Sequence, residues 1–97
     1  MAYLSLGDLW LCLSVGPVAP RRDYTHLALA CTEAEFGALS ARLEAASEVW
    51  QENRSDAPSL YVLDPDGHRV ELHAGTLERR LAHYRAHPDK GVAVAED

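Results

Sequence analysis

The chain has 97 residues, 47% hydrophobic and 25% charged, with a formal net charge of −6 at pH 7. This composition is typical of one globular domain and excludes a disordered protein. The nine Lys and Arg residues are scattered and no apolar run reaches the roughly 20 residues of a membrane span, so we expect neither a nucleic-acid partner nor a membrane location.

The first 22 residues are predicted to form two strands and a loop. The segment from Ala2 to Ser14 is divided by Gly7-Asp8, a pair typical of a two-residue hairpin turn. The next segment, from Val15 to Asp23, is rich in Gly, Pro and Arg, which predicts a loop.

From Asp23 onward the pattern predicts a β-α-β-β-β series. A strand over Asp23–Ala30 is followed by Thr32-Glu33-Ala34-Glu35, a capping box that begins a helix. A short strand is predicted over Ser47–Trp50 and a polar loop over Gln51–Ser59. The helix carries apolar residues at helical spacing, which predicts one face buried against a sheet. They are Phe36, Leu39, Leu43 and Ala46.

The stretch YVLDPDGHRVELHAG, residues 61–75, predicts a β-hairpin that turns at residues 64–67. In its second arm two sets of side chains alternate and therefore point to opposite faces. The sets are Val70, Leu72 and Ala74 against Arg69, Glu71 and His73. A last helix is predicted after Thr76, a suitable N-cap, and Pro88 ends it.

This order of elements predicts an α+β fold with one complete βαβββ module and the two trailing strands of a second module. We expect a single domain over 1–97, in which 1–22 are the tail of the first module. Residues 23–88 are the complete second module with the C-terminal helix, and 89–97 are a tail. A half module leaves an unpaired sheet edge and an uncovered apolar face, which favours a partner subunit.

The two cysteines, Cys12 and Cys31, lie in strand-like apolar segments without CxxC spacing. We expect buried free thiols rather than a disulfide framework, which needs more cysteines in a secreted chain. The lack of a signal-peptide pattern favours a cytoplasmic location.

Two polar side chains, His26 and Glu71, are predicted in the middle of well-patterned strands. An imidazole and a carboxylate brought together across a sheet suit Zn, Mn, Fe or Co. His73 shares the face of Glu71 and is a candidate second ligand or supporting partner. A solvated polar sheet face explains the same pattern, so both interpretations stay open.

The loop between Asn53 and Ser59 is dense in oxygen donors, including Ser55 and Asp56. It is either a solvated turn, a site that wraps a monovalent or divalent cation, or an anion site that uses hydroxyls and Arg54. The sequence has no Ser-His-Asp order, phosphate-binding glycine loop or paired-cysteine zinc motif.

The chain contains four distinctive stretches at characteristic spacing, which are, in chain order, LWLCLS, DYTH, WQENRS and LDPDGHRVELHAG. With these the sequence closely resembles the fosfomycin-resistance thiol transferases of the FosA type, in the glyoxalase/vicinal oxygen chelate superfamily. The resemblance implies paired βαβββ modules around a divalent metal, usually Mn(II), in a homodimer whose sites combine modules from both subunits. It implies that the metal activates the epoxide of fosfomycin and that a thiol, typically glutathione, opens the ring.

The resemblance also implies roles for individual residues. DYTH and DPDGHRVE place metal ligands on His26 and Glu71. Arg80, Ser55 and Tyr61 match residues that hold the phosphonate during catalysis, and Trp10 matches a tryptophan that lines the substrate pocket. The potassium loop of the family maps onto the carbonyls of Asn53 and Ala57 and the hydroxyls of Ser55 and Ser59.

The sequence departs from the family pattern at three points. The initial β-α-β segment, which supplies a second histidine ligand and a threonine near the substrate, has no counterpart here, and no histidine precedes His26. Gln51 stands where the family has a lysine that binds phosphonate, and Ala57 replaces a loop glycine.

These departures leave alternatives to a thiol transferase. The presence of only two of the three metal ligands favours a drug-sequestering or binding module of the same superfamily, or a truncated member of the family, without catalysis. Another metal-dependent chemistry of the superfamily, such as a lyase or a dioxygenase, is the third hypothesis.

Overall fold

The computed structural model describes residues 1–19, 22–53 and 57–95. Within these ranges it has an α+β fold with six strands, two helices and one 3₁₀ turn. The strands are β1 (Ala2–Leu6), β2 (Leu9–Leu13), β3 (Leu27–Cys31), β4 (Val49–Gln51), β5 (Ser59–Leu63) and β6 (Arg69–Ala74). The helices are α1 (Glu33–Ala46) and α2 (Leu77–Ala86), and the 3₁₀ turn covers Pro88–Lys90. The predicted fold class is confirmed.

The predicted N-terminal hairpin is present as a separate two-stranded sheet. β1 pairs antiparallel with β2, from Ala2 opposite Leu13 to Leu6 opposite Leu9. Gly7 has a φ of 60°, which the two-residue turn requires and which favours glycine. Most of the apolar side chains of this hairpin are exposed, among them Tyr3, Leu4, Leu6, Trp10 and Leu13.

The remaining strands form one sheet in the order β3-β6-β5-β4. β3 runs parallel to β6, whereas β5 is antiparallel to both β6 and β4. The parallel pair requires a crossover, which begins with α1 and passes through β4 and β5. This is the predicted β-α-β-β-β series, and it places β6 in the interior of the sheet.

The first strand of this sheet begins later than predicted. The ladder with β6 starts at Leu27, which lies opposite Val70, so Asp23–His26 precede the strand. The prediction that His26 lies in mid-strand is therefore wrong. The physical reason is that β6 begins at Arg69, so the residues before His26 would lie opposite the 66–68 turn and have no strand partner.

Side chains cap both helices at the predicted residues. The Thr32 hydroxyl accepts from the Glu35 N–H, and the Glu35 carboxylate accepts from the Thr32 N–H, both at 3.2 Å. The Thr76 hydroxyl accepts from the Arg79 N–H at 3.1 Å. These bonds satisfy N–H groups that have no partner within a helix.

Helix α1 packs against β5 and β6, as the apolar stripe predicts. Phe36, Leu39 and Leu43 are only half-buried, however, and Ala46 is exposed. Ala46 is the last residue of the helix, where the turn no longer faces the sheet, so the stripe is shorter than predicted.

The core lies on β5 and β6, both of which are buried on two faces. The buried apolar residues there are Leu60, Tyr61, Val62, Leu72 and Ala74, and the neighbouring polar residues Glu71 and His73 are buried as well. The interpretation of the polar side of β6 as a solvated face is therefore wrong.

The two cysteines are free, as predicted, but they are not buried. Cys12 is exposed on the N-terminal hairpin and Cys31 is half-buried at the end of β3. In the described part of the chain, neither helix has the length and apolar character that a bilayer crossing needs.

We expect Thr32→Ala to lower the free energy of unfolding by about 1 kcal/mol, because it removes the acceptor for the Glu35 N–H. Thr32→Ser keeps the hydroxyl and is expected to lie within a few tenths of a kcal/mol of the wild type. Urea denaturation of the three proteins tests this, and equal losses for Ala and Ser would contradict a capping role.

Candidate metal and anion site

Glu71 is the centre of the site, and its side chain is fully buried, with 0% relative exposure. The sheet places it between Ala28 of β3 and Tyr61 of β5. A buried carboxylate needs hydrogen-bond and charge partners, because the protein interior solvates an ion poorly. The residues around Glu71 supply both.

Arg80 is the main counter-charge of Glu71. Its Nη1 donates to Glu71 Oε1 at 3.2 Å, and its Nη2 donates to Oε2 in a short contact. This two-pronged geometry is the fork with which a guanidinium binds a carboxylate. Arg80 reaches Glu71 because α2 begins directly after β6, at the Thr76 cap. The Arg80 Nε is buried without a hydrogen-bond partner among the residues described.

Ser59 and His73 complete the inner layer of contacts. The Ser59 hydroxyl donates to Glu71 Oε2 at 2.8 Å and lies 2.5 Å from His73 Nδ1. Arg80 Nη2 lies 2.8 Å from the same nitrogen of His73. Because a guanidinium can only donate, His73 Nδ1 accepts this bond and the proton of the neutral ring is on Nε2. His73 is thus a supporting partner, in contact with the residues that hold Glu71.

These contacts shift two pKa values in opposite directions. Burial raises the pKa of Glu71, but hydrogen bonds from Arg80 and Ser59 and the Arg80 charge outweigh it, so the net pKa is lowered. The hydrogen bond to Glu71 raises the pKa of Arg80, and desolvation only partly opposes it. Glu71 is therefore an anion and Arg80 a cation at neutral pH.

His26 lies on the solvent side of Glu71. Its Nε2 is 3.1 Å from Glu71 Oε1, although the two residues are 45 positions apart in the chain. Its other nitrogen, Nδ1, lies 2.8 Å from the Tyr24 hydroxyl. The sequence therefore identified a real juxtaposition, even though His26 precedes the strand on which it was expected.

An aromatic group surrounds the His26 ring. The ring centroids of Tyr24, Trp50 and Tyr61 lie 5.6, 6.0 and 6.2 Å from that of His26. The pKa of the Tyr61 hydroxyl is raised, mainly by burial and next by the negative charge of Glu71. Tyr61 is therefore a neutral phenol. The Arg69 guanidinium lies over this group, 5.5 Å from the centre of the Tyr24 ring and 5.7 Å from that of Trp50. The sequence pattern does not indicate the part of Trp50 or Arg69, because both occupy ordinary strand positions.

The other predicted site residues are more distant or lie outside the described residues. Trp10 is 79% exposed and lines an apolar recess with Tyr3, Leu4 and Ser5 on the hairpin, not the Glu71 cluster. Ser55 falls in the range 54–56, outside the described residues. Next to it, the Asn53 side-chain amide donates to the Ala57 carbonyl at 3.0 Å.

A groove of about 680 Å³ opens beside His26. Its apolar wall comes from both sheets and includes Leu11 and Leu13 of β2 and Leu27 of β3. The polar part of the lining includes Thr25, Asp64, His68 and Arg69. A small polar molecule that contacts His26 has room in this groove.

The donor set fits a divalent transition metal in type and spacing. Two ligand atoms that each lie about 2.1 Å from one metal, with a right angle at the metal, are about 3.0 Å apart. The distance between His26 Nε2 and Glu71 Oε1 is 3.1 Å. The two residues provide a pair of ligands, and within 1–19, 22–53 and 57–95 no group of three or more His, Cys, Asp or Glu could hold a metal ion.

Comparison with known proteins gives close relatives, although no family model matches the chain. The chain is 47% identical to glutathione transferase FosA of Serratia marcescens, over 99% of its own length and 72% of that protein's. It is 37% identical to metallothiol transferase FosB of Shouchella clausii, over 98% of its length and 72% of the relative's.

Solved structures of similar fold are also fosfomycin-resistance proteins. FosX of Listeria monocytogenes, in complex with Mn(II) and sulfate, matches with a TM-score of 0.69 and 34% identity. The match covers 84% of this chain and 69% of FosX. FosX of Mesorhizobium loti matches with a TM-score of 0.65 and 30% identity, over 81% of this chain and 68% of that one.

The lowered pKa of Glu71 predicts a pH-dependent stability in the metal-free protein. The stabilisation is complete above the ordinary carboxyl pKa of 4.5 and is lost as the pH falls below it, through the lower pKa of the folded state. We expect urea unfolding between pH 7 and pH 3 to show a smaller loss of stability for Glu71→Gln than for the wild type. Glu44→Gln, on the exposed side of α1, is the control and should follow the wild type; parallel curves for all three proteins would contradict the prediction.

Proposed function

The chain belongs to the fosfomycin-resistance proteins of the vicinal oxygen chelate superfamily, and we propose that it is a metal-dependent thiol transferase that opens the epoxide of fosfomycin. The observation that carries this proposal is the 47% identity with a FosA glutathione transferase along 99% of the chain. That span includes His26, Glu71 and Arg80, the residues gathered at the centre of the site.

In this proposal His26 and Glu71 hold a divalent metal, Mn(II) by analogy with the Listeria FosX complex, or otherwise Zn, Fe or Co. When bound, the metal supplies Lewis-acid activation of the epoxide and phosphonate oxygens. Glu71 suits this role because its pKa is lowered and its carboxylate is ionised without an external base. His26 offers Nε2 from the rim of the groove.

Arg80 is proposed to bind the anionic phosphonate, with Tyr61 and Ser55 as further donors and Trp10 as a wall of the pocket. The guanidinium already lies beside Glu71, and its buried Nε has no hydrogen-bond partner among the described residues. Tyr61 retains its proton, so it can donate a hydrogen bond to an anion. Because Arg80 is always charged, it orients the substrate in every protonation state of the site.

The second substrate is proposed to be glutathione or another thiol. The sulfur forms a C–S bond to an epoxide carbon as the C–O bond breaks, and the ring oxygen takes a proton to become a hydroxyl. The thiol proton balances this step, so no oxidant or reductant is needed. The groove beside His26 has room for a thiol next to the epoxide.

We further propose that the chain works as a homodimer with shared sites and with potassium in the Asn53–Ser59 loop. The exposed apolar hairpin supports the dimer, because a second copy can cover it. The oxygens of Asn53, Ser55, Ala57 and Ser59 are the proposed potassium ligands. The two free cysteines support a cytoplasmic location, where thiols stay reduced.

A binding or drug-sequestering module without catalysis is the second candidate. The observation that favours it is that His26 and Glu71 supply two ligands only, with no group of three metal-binding side chains in the described ranges. Such a module would bind metal and fosfomycin without forming a product. A lyase or dioxygenase of the same superfamily would bind the metal but transform other substrates.

The thiol-transferase proposal predicts a glutathione adduct when the purified chain is incubated with Mn(II), potassium, glutathione and fosfomycin. Mass spectrometry of the products distinguishes the adduct from the diol that water would form. Calorimetry with Mn(II) and fosfomycin, run in parallel, identifies the sequestering module if binding occurs without product. Absence of any adduct at saturating metal would reject thiol transfer for this chain.

The role of Arg80 predicts that Arg80→Gln lowers kcat/KM for fosfomycin by about a hundred-fold or more, through the loss of a charged donor. Arg79→Gln is the matched control. Arg79 precedes it on the same helix, but its side chain is 62% exposed and lies 3.9 Å from Glu33, which is 73% exposed. Circular dichroism of both variants checks the fold, and equal effects on kcat/KM would exclude a specific role for Arg80.

A further inference from the structure

The Tyr24 hydroxyl lies at the back of the His26 ring, on the side away from Glu71. Tyr24 Oη is 2.8 Å from His26 Nδ1, and His26 Nε2 is 3.1 Å from Glu71 Oε1. The two nitrogens of one imidazole therefore have separate partners, and the ring is fixed between them. A rotation of the ring would break both contacts at once.

Tyr24 is itself held in place, although its side chain is 60% exposed. The Arg69 guanidinium lies 5.5 Å from the centre of the Tyr24 ring, within the range of a cation–π interaction. Trp50 packs against the same ring edge to face, with 5.9 Å between centroids. The hydroxyl is thus presented by a ring that three neighbours, Arg69, Trp50 and His26, restrain.

A hydroxyl is a suitable partner for Nδ1, because it can both donate and accept. When Nε2 carries the proton and donates it to Glu71, Nδ1 accepts from the Tyr24 O–H. When Nε2 offers its lone pair to a cation, the ring proton lies on Nδ1, which donates to the Tyr24 oxygen. A carboxylate or an ammonium group in the same place would suit only one of these arrangements.

We propose that Tyr24 is a positioning residue, which orients His26 so that Nε2 faces the cation held by Glu71. The inference rests on the proposed function, because it assigns Tyr24 a role in the metal site of that function. Partners of this kind, bound to the second nitrogen of a histidine ligand, strengthen metal binding by fixing the ring and its proton.

The first test is Mn(II) affinity, measured by electron paramagnetic resonance of the free ion. We expect Tyr24→Phe to weaken binding by about ten- to a hundred-fold, the effect typical for loss of such a partner. Tyr3→Phe is the matched control, because Tyr3 is also exposed, at 68%, but lies on β1 of the N-terminal hairpin. We expect its affinity to equal that of the wild type.

The second test uses the metal-free protein and does not depend on activity. The ¹⁵N resonance of His26 Nδ1 reports its hydrogen bond, so we expect it to shift in Tyr24→Phe and to stay unchanged in Tyr3→Phe. The exposed His68 is an internal reference whose resonances should not move. Because phenylalanine keeps the aromatic ring, thermal unfolding of both variants should match that of the wild type.

The outcomes separate the two proposals. Wild-type protein that binds no Mn(II) would reject the proposed function and the role of Tyr24 with it. Wild-type and Tyr24→Phe proteins that bind Mn(II) equally would reject only the role of Tyr24. An unchanged Nδ1 resonance in Tyr24→Phe would reject the hydrogen bond on which that role depends.

Discussion

The burial of an ionised carboxylate at Glu71 is the constraint on which the rest of the site depends. A carboxylate with 0% exposure is stable in an apolar interior only with a counter-charge and hydrogen bonds to its oxygens. Arg80, Ser59 and His26 supply these from three separate segments of the chain. Loss of any one of them would leave a buried charge with an incomplete shell, so these segments must be held in register.

The sheet topology achieves this register. Because β6 lies between β3 and β5, His26 just before β3 and Ser59 of β5 both reach Glu71, and the backbone on either side is fixed by ladder hydrogen bonds. Gly75 then allows the chain to leave β6 and begin α2. Its φ of 148° disfavours other residues, and an added Cβ would lie 3.1 Å from the His73 ring. Arg80 therefore returns over the strand that carries its partner.

Much of the fold could be predicted from the sequence, because the rules that govern it are local. The hairpin turn at Gly7, the caps at Thr32 and Thr76 and the alternation in β6 depend on neighbouring residues only. The meeting of His26 with Glu71 is also predicted, since an imidazole and a carboxylate on the polar faces of two strands can come together across a sheet. The late start of β3 could not be predicted in this way, because it depends on where β6 begins.

The contacts of Ser59 and the burial of both faces of β6 could not be predicted either. They arise when α1 covers one face and Arg80 the other, and no local pattern encodes such packing.

The charge balance of the site supports the proposed function, which pairs a divalent cation with an anionic substrate. Glu71 and Arg80 alone sum to zero, because the carboxylate and the guanidinium are both ionised. In that proposal, a divalent ion held by Glu71 and His26 would raise the sum to two positive charges, which a phosphonate with close to two negative charges would offset. Arg80 contacts both oxygens of Glu71, so an anion beside the proposed ion would also be attracted by the Arg80 guanidinium. The buried Glu71 would thus couple the metal position to the anion position.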